Sequence, residues 1–184
     1  MRARSILYHD IVSPGAFNSS GFPGAAAARY KLEQSEFEKH LEAIATAIPD
    51  KPGNVLDLLA GLGVQRPFLL TFDDGGASAS SCIVGILEQL GWQAHFFVTT
   101  NYIGCQGFLS KQQIRALRNH GHIIGSHSCS HPERMANLGW EQLVWEWDTS
   151  RKLLSDILGK RSVWLLFRPE TIHPGLPRQL PLQA

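Results

Sequence analysis

The chain has 184 residues, 43% of them hydrophobic and 18% charged, with a formal net charge of +1 and an isoelectric point near 7.8. That is the composition of one globular domain, and it excludes the broad basic field that nucleic acid or an anionic membrane surface would select. No window approaches the ~18 apolar residues of a membrane span, so neither a nucleic-acid partner nor a membrane span is expected.

The opening "MRARSILYHDIVSPGAF" lacks the apolar core of a secretory leader, because Tyr8, His9 and Asp10 interrupt it. Cys82, Cys105 and Cys129 are odd in number, far apart and without CxxC spacing, which fits reduced thiols. A cytoplasmic address is the expectation. Short apolar runs predict strands over residues 5–11, 68–72, 94–99, 122–126 and 163–167. Between them, "SEFEKHLEAIATAI" predicts a helix capped by Ser35 with Glu38 three residues on, and with Phe37, Leu41, Ile44 and Ile48 on one face. "SASSCIVGILEQLG" predicts a helix stopped by Gly91, and "SKQQIRALRNHG" one running from a Ser110 cap to Gly121. "GWEQLVWEWDTSRKLLSDILG" is the longest, closed by Gly159, with Trp140, Trp145 and Trp147 as its core face and neighbours. Residues 11–28 and 49–67 read as surface loops. This alternation predicts an α/β fold with a mostly parallel sheet, one domain over 1–184 with about five βα steps.

Asp73 and Asp74 follow directly on "FLLTF", at the carboxyl end of a strand, where ligands bind in parallel α/β folds. Gly75 and Gly76 let the neighbouring carboxylates aim differently, one toward a cation and one left free as a base. An acidic pair before glycines is equally a common solvated turn. In "GHIIGSHSCSHPERM", His127 and His131 stand four apart, a separation that brings two imidazoles to one side of a helical turn. Two histidines and a carboxylate are the ligand set of many catalytic zinc sites, with a fourth position left to water. For this spacing alone, a pair of surface or capping histidines is the simpler alternative. His9 ends the first strand, structural or solvated unless it lines the pocket. Cys129 reads as a small buried thiol rather than a nucleophile.

"LTFDDGG" followed by "GHIIGSHSCSH", together with "ILYHDI", "YKLEQSEFEKHLEAI" and "LEQLGWQAHFFVTT", resembles the polysaccharide deacetylase, or NodB-homology, family of carbohydrate esterases over about residues 5–159. The resemblance implies a distorted (β/α) barrel with a metal at the strand tips. It implies Asp73 as general base and Asp74, His127 and His131 as ligands of a divalent ion, Zn²⁺ first, with Co²⁺, Ni²⁺ or Mn²⁺ as alternatives. Arg168, in a partial match to the family's third motif, would bind substrate. The implied reaction is hydrolysis of an N-acetyl, less often an O-acetyl, group on an acetylated polysaccharide or oligosaccharide. The Gly75-Gly76 turn is a candidate source of N–H groups for the oxyanion.

The chain departs from the family after the long helix. Glu170 replaces the small or proline residue expected after Arg168-Pro169, nothing matches the later motifs that supply a general acid, and His173 lies in a proline-flanked tail unsuited to replace it. A full barrel needs ~250 residues, so the expectation is a fold incomplete at its C-terminus, an aberrant tail over 163–184 from a frameshift or early stop near 161–166, and self-association through an exposed sheet edge. A second reading is a non-catalytic carbohydrate-binding or interaction relative that keeps the metal site. A phosphate cradle in "GGASAS" is the least favoured, since it lacks the Lys and Ser/Thr order of a P-loop.

Overall fold

The computed structural model describes residues 3–61, 67–159 and 164–165. Its elements are β1 (Arg4–Tyr8), β2 (Ile11–Val12), α1 (Ala25–Ala28), β3 (Leu32–Glu33), α2 (Gln34–Ala47), α3 (Val55–Leu59), β4 (Phe68–Phe72), α4 (Val84–Leu90), β5 (His95–Val98), α5 (Lys111–Asn119), β6 (Ile123–Ser126), α6 (Trp140–Leu158) and β7 (Trp164–Leu165). The five strands predicted from the apolar runs form one parallel sheet in the order β1-β4-β5-β6-β7. Each new strand adds on the same side, so the order never reverses as it does in doubly wound sheets. Of the tail expected over 163–184, only β7 is described; the rest, Arg168 included, lies outside the described residues.

Register sets the core. Tyr8 faces Phe72 and Phe72 faces Phe96 on neighbouring strands, and their rings stack with centroids 5.5 and 5.0 Å apart. Phe37 of α2 meets Tyr8 edge-on at 5.2 Å, in the geometry that ring quadrupoles favour. Phe37, Leu41 and Ile44 are buried and Ile48 packs partly buried against them, the face that the helical period predicts. The Ser35 cap does not form. Helix α2 starts at Gln34, because Glu33 is already held in β3, paired with Val12. Ser110 does cap α5, in a full capping box with Gln113, and Gly91 closes α4 in the left-handed conformation.

The loop expected over 49–67 contains α3, whose first turn is held by Asn54 accepting from the Asp57 N–H and by His95 Nε2 accepting from the Val55 N–H. The helix predicted over "SASSCIVGILEQLG" opens as a five-residue π-helix, Ala79–Ile83, before α4. Trp140 and Trp145 are exposed, contrary to their expected place on the core face of α6; the buried residues of that helix are Glu146, Ser150, Leu154 and Ile157.

Two buried histidines are expected to make the sheet acid-sensitive. His122 Nδ1 accepts from the Ala94 N–H at 3.2 Å, and burial pushes its pKa down to about 4. Burial lowers His95 in the same direction. An unfolded histidine protonates near 6.5, so the unfolded chain takes up a proton before folded His122 does. The His122 contribution is therefore full above pH 6.5 and is lost as pH falls toward 4, at ~1.4 kcal/mol per pH unit and roughly 3 kcal/mol in all. Urea unfolding at pH 7 and pH 4.5 should show a smaller drop in a His122→Gln variant than in the parent; an equal drop would assign the acid sensitivity elsewhere.

Candidate functional site

Three strand tips build the site. The β1–β4 ladder runs on past the strands, with the Asp73 N–H donating to the Tyr8 carbonyl, and the β5–β6 ladder ends as the His127 N–H donates to the Val98 carbonyl. His9, Asp73 and His127 are thus the first residues beyond β1, β4 and β6. Asp74 turns left-handed at φ 71°, and its carbonyl accepts from the Thr99 N–H. The chain reverses through Gly75, whose N–H donates to the Asp73 carbonyl. That N–H is spent on the turn, so the expected oxyanion contact cannot come from it.

Asp74 Oδ1 stands 3.3 Å from His127 Nε2 and 3.4 Å from His131 Nε2. One ligand atom from each of the three residues lies within 4.8 Å of the others. Asp74 Oδ1 is buried without a hydrogen-bond partner despite these neighbours, and so is Asp73 Oδ1. A buried acceptor left unsatisfied costs ~1–3 kcal/mol, which a protein recovers when a cation fills the gap. Two imidazole nitrogens and a carboxylate oxygen converging on an orphaned acceptor fit a divalent metal with an open fourth position.

The neighbouring carboxylates differ in proton affinity. Burial lifts the Asp73 carboxyl above the usual range, and the attraction of His127 and His9 only partly offsets it. Burial acts on Asp74 too, but the combined pull of His127, His9 and His131 outweighs it and holds this carboxyl below its usual value. His127 in turn is raised: burial opposes its charged form, and Asp74 with Asp73 overcomes that. Titratable neighbours whose proton affinities are driven apart are the signature of divided acid–base roles.

His127 and His131 do not share a helical turn. They lie on a loop in which Ser128 and His131 adopt φ of 66° and 55°, non-glycine left-handed residues costing ~1–3 kcal/mol each. Serines hold the loop: Ser126 Oγ meets Ser150 Oγ at 2.6 Å and accepts from the Ser128 N–H, while Ser128 Oγ accepts from the His131 N–H. The Cys129 thiol donates to Asn101 Oδ1, and burial raises its pKa, as befits an inert thiol.

The segment expected as surface loop over 11–28 reaches the site. Phe22 packs against His131 at 4.9 Å and meets Tyr102 and Phe108 edge-on. Two buried charges absent from the expected site fix this segment. The Lys31 ammonium donates to the carbonyls of Phe17, Ser20 and Phe22. The Asp10 carboxylate accepts from Ser20 Oγ at 2.6 Å and Ser78 Oγ at 2.7 Å. The signal for both was a charge set against apolar residues, in "YHDIV" and "YKL", where burial demands partners.

A sequence profile described as polysaccharide deacetylase matches residues 63–171. A chitin deacetylase of Colletotrichum lindemuthianum is 35% identical over 65 residues, 35% of this chain and 26% of that protein. A 30.6 kDa protein of Geobacillus stearothermophilus described as uncharacterized is 28% identical over 109 residues, 59% of this chain and 39% of that one. The chain thus spans well under two thirds of these curated relatives. Among solved structures, the Streptococcus pyogenes deacetylase PplD in complex with acetate superimposes with a TM-score of 0.72 at 17% identity, covering 90% of this chain and 73% of that one. At such identity the likeness is one of fold, and it bears out the fold type expected from the motifs.

Proposed function

The chain belongs to the polysaccharide deacetylase family, and on that premise we propose that it is a metal-dependent hydrolase removing N-acetyl, secondarily O-acetyl, groups from an acetylated polysaccharide or oligosaccharide. The observation that carries this reading is the orphaned Asp74 oxygen facing two imidazole nitrogens beside a second, differently titrating carboxylate. Asp74, His127 and His131 would hold a divalent ion, Zn²⁺ first and Co²⁺, Ni²⁺ or Mn²⁺ as alternatives. Such an ion, when bound, polarises the acetyl carbonyl and acidifies water at its open position.

The remaining work falls to the chain's own side chains. Asp73, with a free buried oxygen and a proton affinity raised by burial, takes the proton of the water that attacks the carbonyl carbon. The C–N bond then breaks, acetate departs, and the amine nitrogen needs a proton. His9 is the donor we assign, because its imidazole, outside the proposed ligand set, acts on both Asp73 and Asp74 from the tip of β1. Tyr30, tilted against His9 at 5.1 Å and 64% exposed, and Phe22 beside His131 offer apolar faces for sugar rings.

The test is acetate release from N-acetylglucosamine oligomers by the zinc-loaded chain, with and without chelator. Release abolished by chelator is the expected result. Sugar binding without release would instead favour the non-catalytic carbohydrate-binding reading. His9→Gln should lower kcat by ~10²-fold or more while zinc affinity stays within about threefold. An unchanged kcat would remove His9 from the reaction.

A further inference from the structure

The longest helix buries a carboxylate that the proposed reaction does not use. Glu146 lies on the inner face of α6, 5% exposed, four residues before Ser150 and on the same face. Its Oε2 accepts from the backbone N–H groups of Cys129 at 2.9 Å and Ser130 at 2.8 Å. Its Oε1 accepts from Ser130 Oγ. Successive N–H groups after a left-handed residue form a concave nest that suits an anion; here the left-handed residue is Ser128 and the anion is a side chain of the same molecule.

We propose that Glu146 is the positioning residue of the metal site, clasping the 127–131 loop from behind so that His127 and His131 face Asp74. The inference rests on the metal-binding reading of those three residues. Both histidines flank the clasped pair, His127 two residues before Cys129 and His131 one residue after Ser130. Ser128 and His131 are both left-handed, a conformation that persists only where the surroundings over-determine it. His131 has a side chain 40% exposed, so packing leaves it freer than His127, and the backbone beneath it matters more. Groups behind a metal ligand set its orientation, and their loss typically weakens metal binding ~10–100-fold.

The clasp depends on acceptor geometry rather than charge, and that separates the informative variants. Glu146→Gln keeps an oxygen for both N–H groups and an amide that can donate to Ser130 Oγ. Glu146→Asp keeps the charge but withdraws it by one methylene, and Glu146→Ala removes it. Calorimetric Zn²⁺ titration of the full chain should give an affinity within about threefold of the parent for Gln and ~10–100-fold weaker for Asp and Ala. The Co²⁺ d–d spectrum should shift in Asp and Ala but not in Gln, a change that loss of global stability alone would not produce in the folded protein. If Ala does not fold, the Gln and Asp pair still decides. Equal affinity and spectrum in all variants, or a loss in Gln as large as in Ala, would overturn the clasp while leaving the metal site standing. No metal binding by the unsubstituted chain would overturn the metal reading and the inference with it.

Discussion

Replacing Asp73 by asparagine is expected to lower the deacetylation rate by about three orders of magnitude while changing zinc affinity only a few-fold. Replacing its neighbour Asp74 by asparagine should do the reverse first: it should weaken zinc binding severely, with activity lost as a consequence. The contrast follows from where the chain puts the two carboxylates. Asp74 Oδ1 has the two ring nitrogens at 3.3 and 3.4 Å, whereas Asp73 Oδ2 is 3.8 Å from the other nitrogen of His127. Asp73 is the carboxyl lifted by burial, and a base works best when its proton affinity is drawn toward the operating pH. The rate should therefore rise with pH through the Asp73 titration, and the Asn variant should lack that acid limb. If Asp73→Asn loses zinc as completely as Asp74→Asn, the two residues share one task and the division of labour fails.

The meeting of the candidate residues was legible for a topological reason. Parallel strands deliver their carboxyl ends to one side of the sheet, so residues written directly after strand-like runs, Asp73 after "FLLTF" and His127 after "IIGS", had to meet. Local chemistry was readable in part: Ser110, read as a cap, does cap α5, but the capping box read at Ser35 and Glu38 gave way to Glu33, already paired in β3. Features that depend on distant partners were not. Helix α3 is short and owes its first turn partly to His95, forty residues away. Asp10 finds Ser78 across 68 residues, and nothing near it in the sequence names that partner. On α6, counting tryptophans misplaced the buried face: Glu146 meets the 127–131 loop and Ser150 the β6 tip, while Leu154 and Ile157 further along meet the core. Hydrophobic period finds a face that meets a core; it misses a face that meets a functional loop.

Gly76→Ala is expected to destabilise the chain by about 2–6 kcal/mol, since overpacking costs ~1–3 kcal/mol and leaving buried polar partners unmet costs as much again. Against the ~5–15 kcal/mol that holds a domain together, this is enough to leave much of the protein unfolded at 37 °C. A Cβ at Gly76 would lie 1.9 Å from Asp10 Oδ1 and 2.6 Å from its carboxyl carbon. Asp10 cannot step aside, because Ser20 and Ser78 hold the same oxygen and Gly21 closes on the other from the opposite side, where a Cβ would again come within 1.9 Å. Gly76 has no positive φ, unlike Gly75 at 80° and Gly21 at 64°, so the demand for glycine there is one of space alone. That makes it separable by a double-mutant cycle. Asp10→Ala is itself costly, since it strands two serines and removes the charge facing Lys31. In that background, though, adding Gly76→Ala should cost less than about 1 kcal/mol, well below its effect alone. Urea unfolding of the four proteins reads the coupling. An equal penalty in both backgrounds would mean that the glycine answers to something other than Asp10. A large coupling would make the contact between Asp10, just past β1, and the turn at Gly76 a source of stability for the segment that carries the aspartate pair.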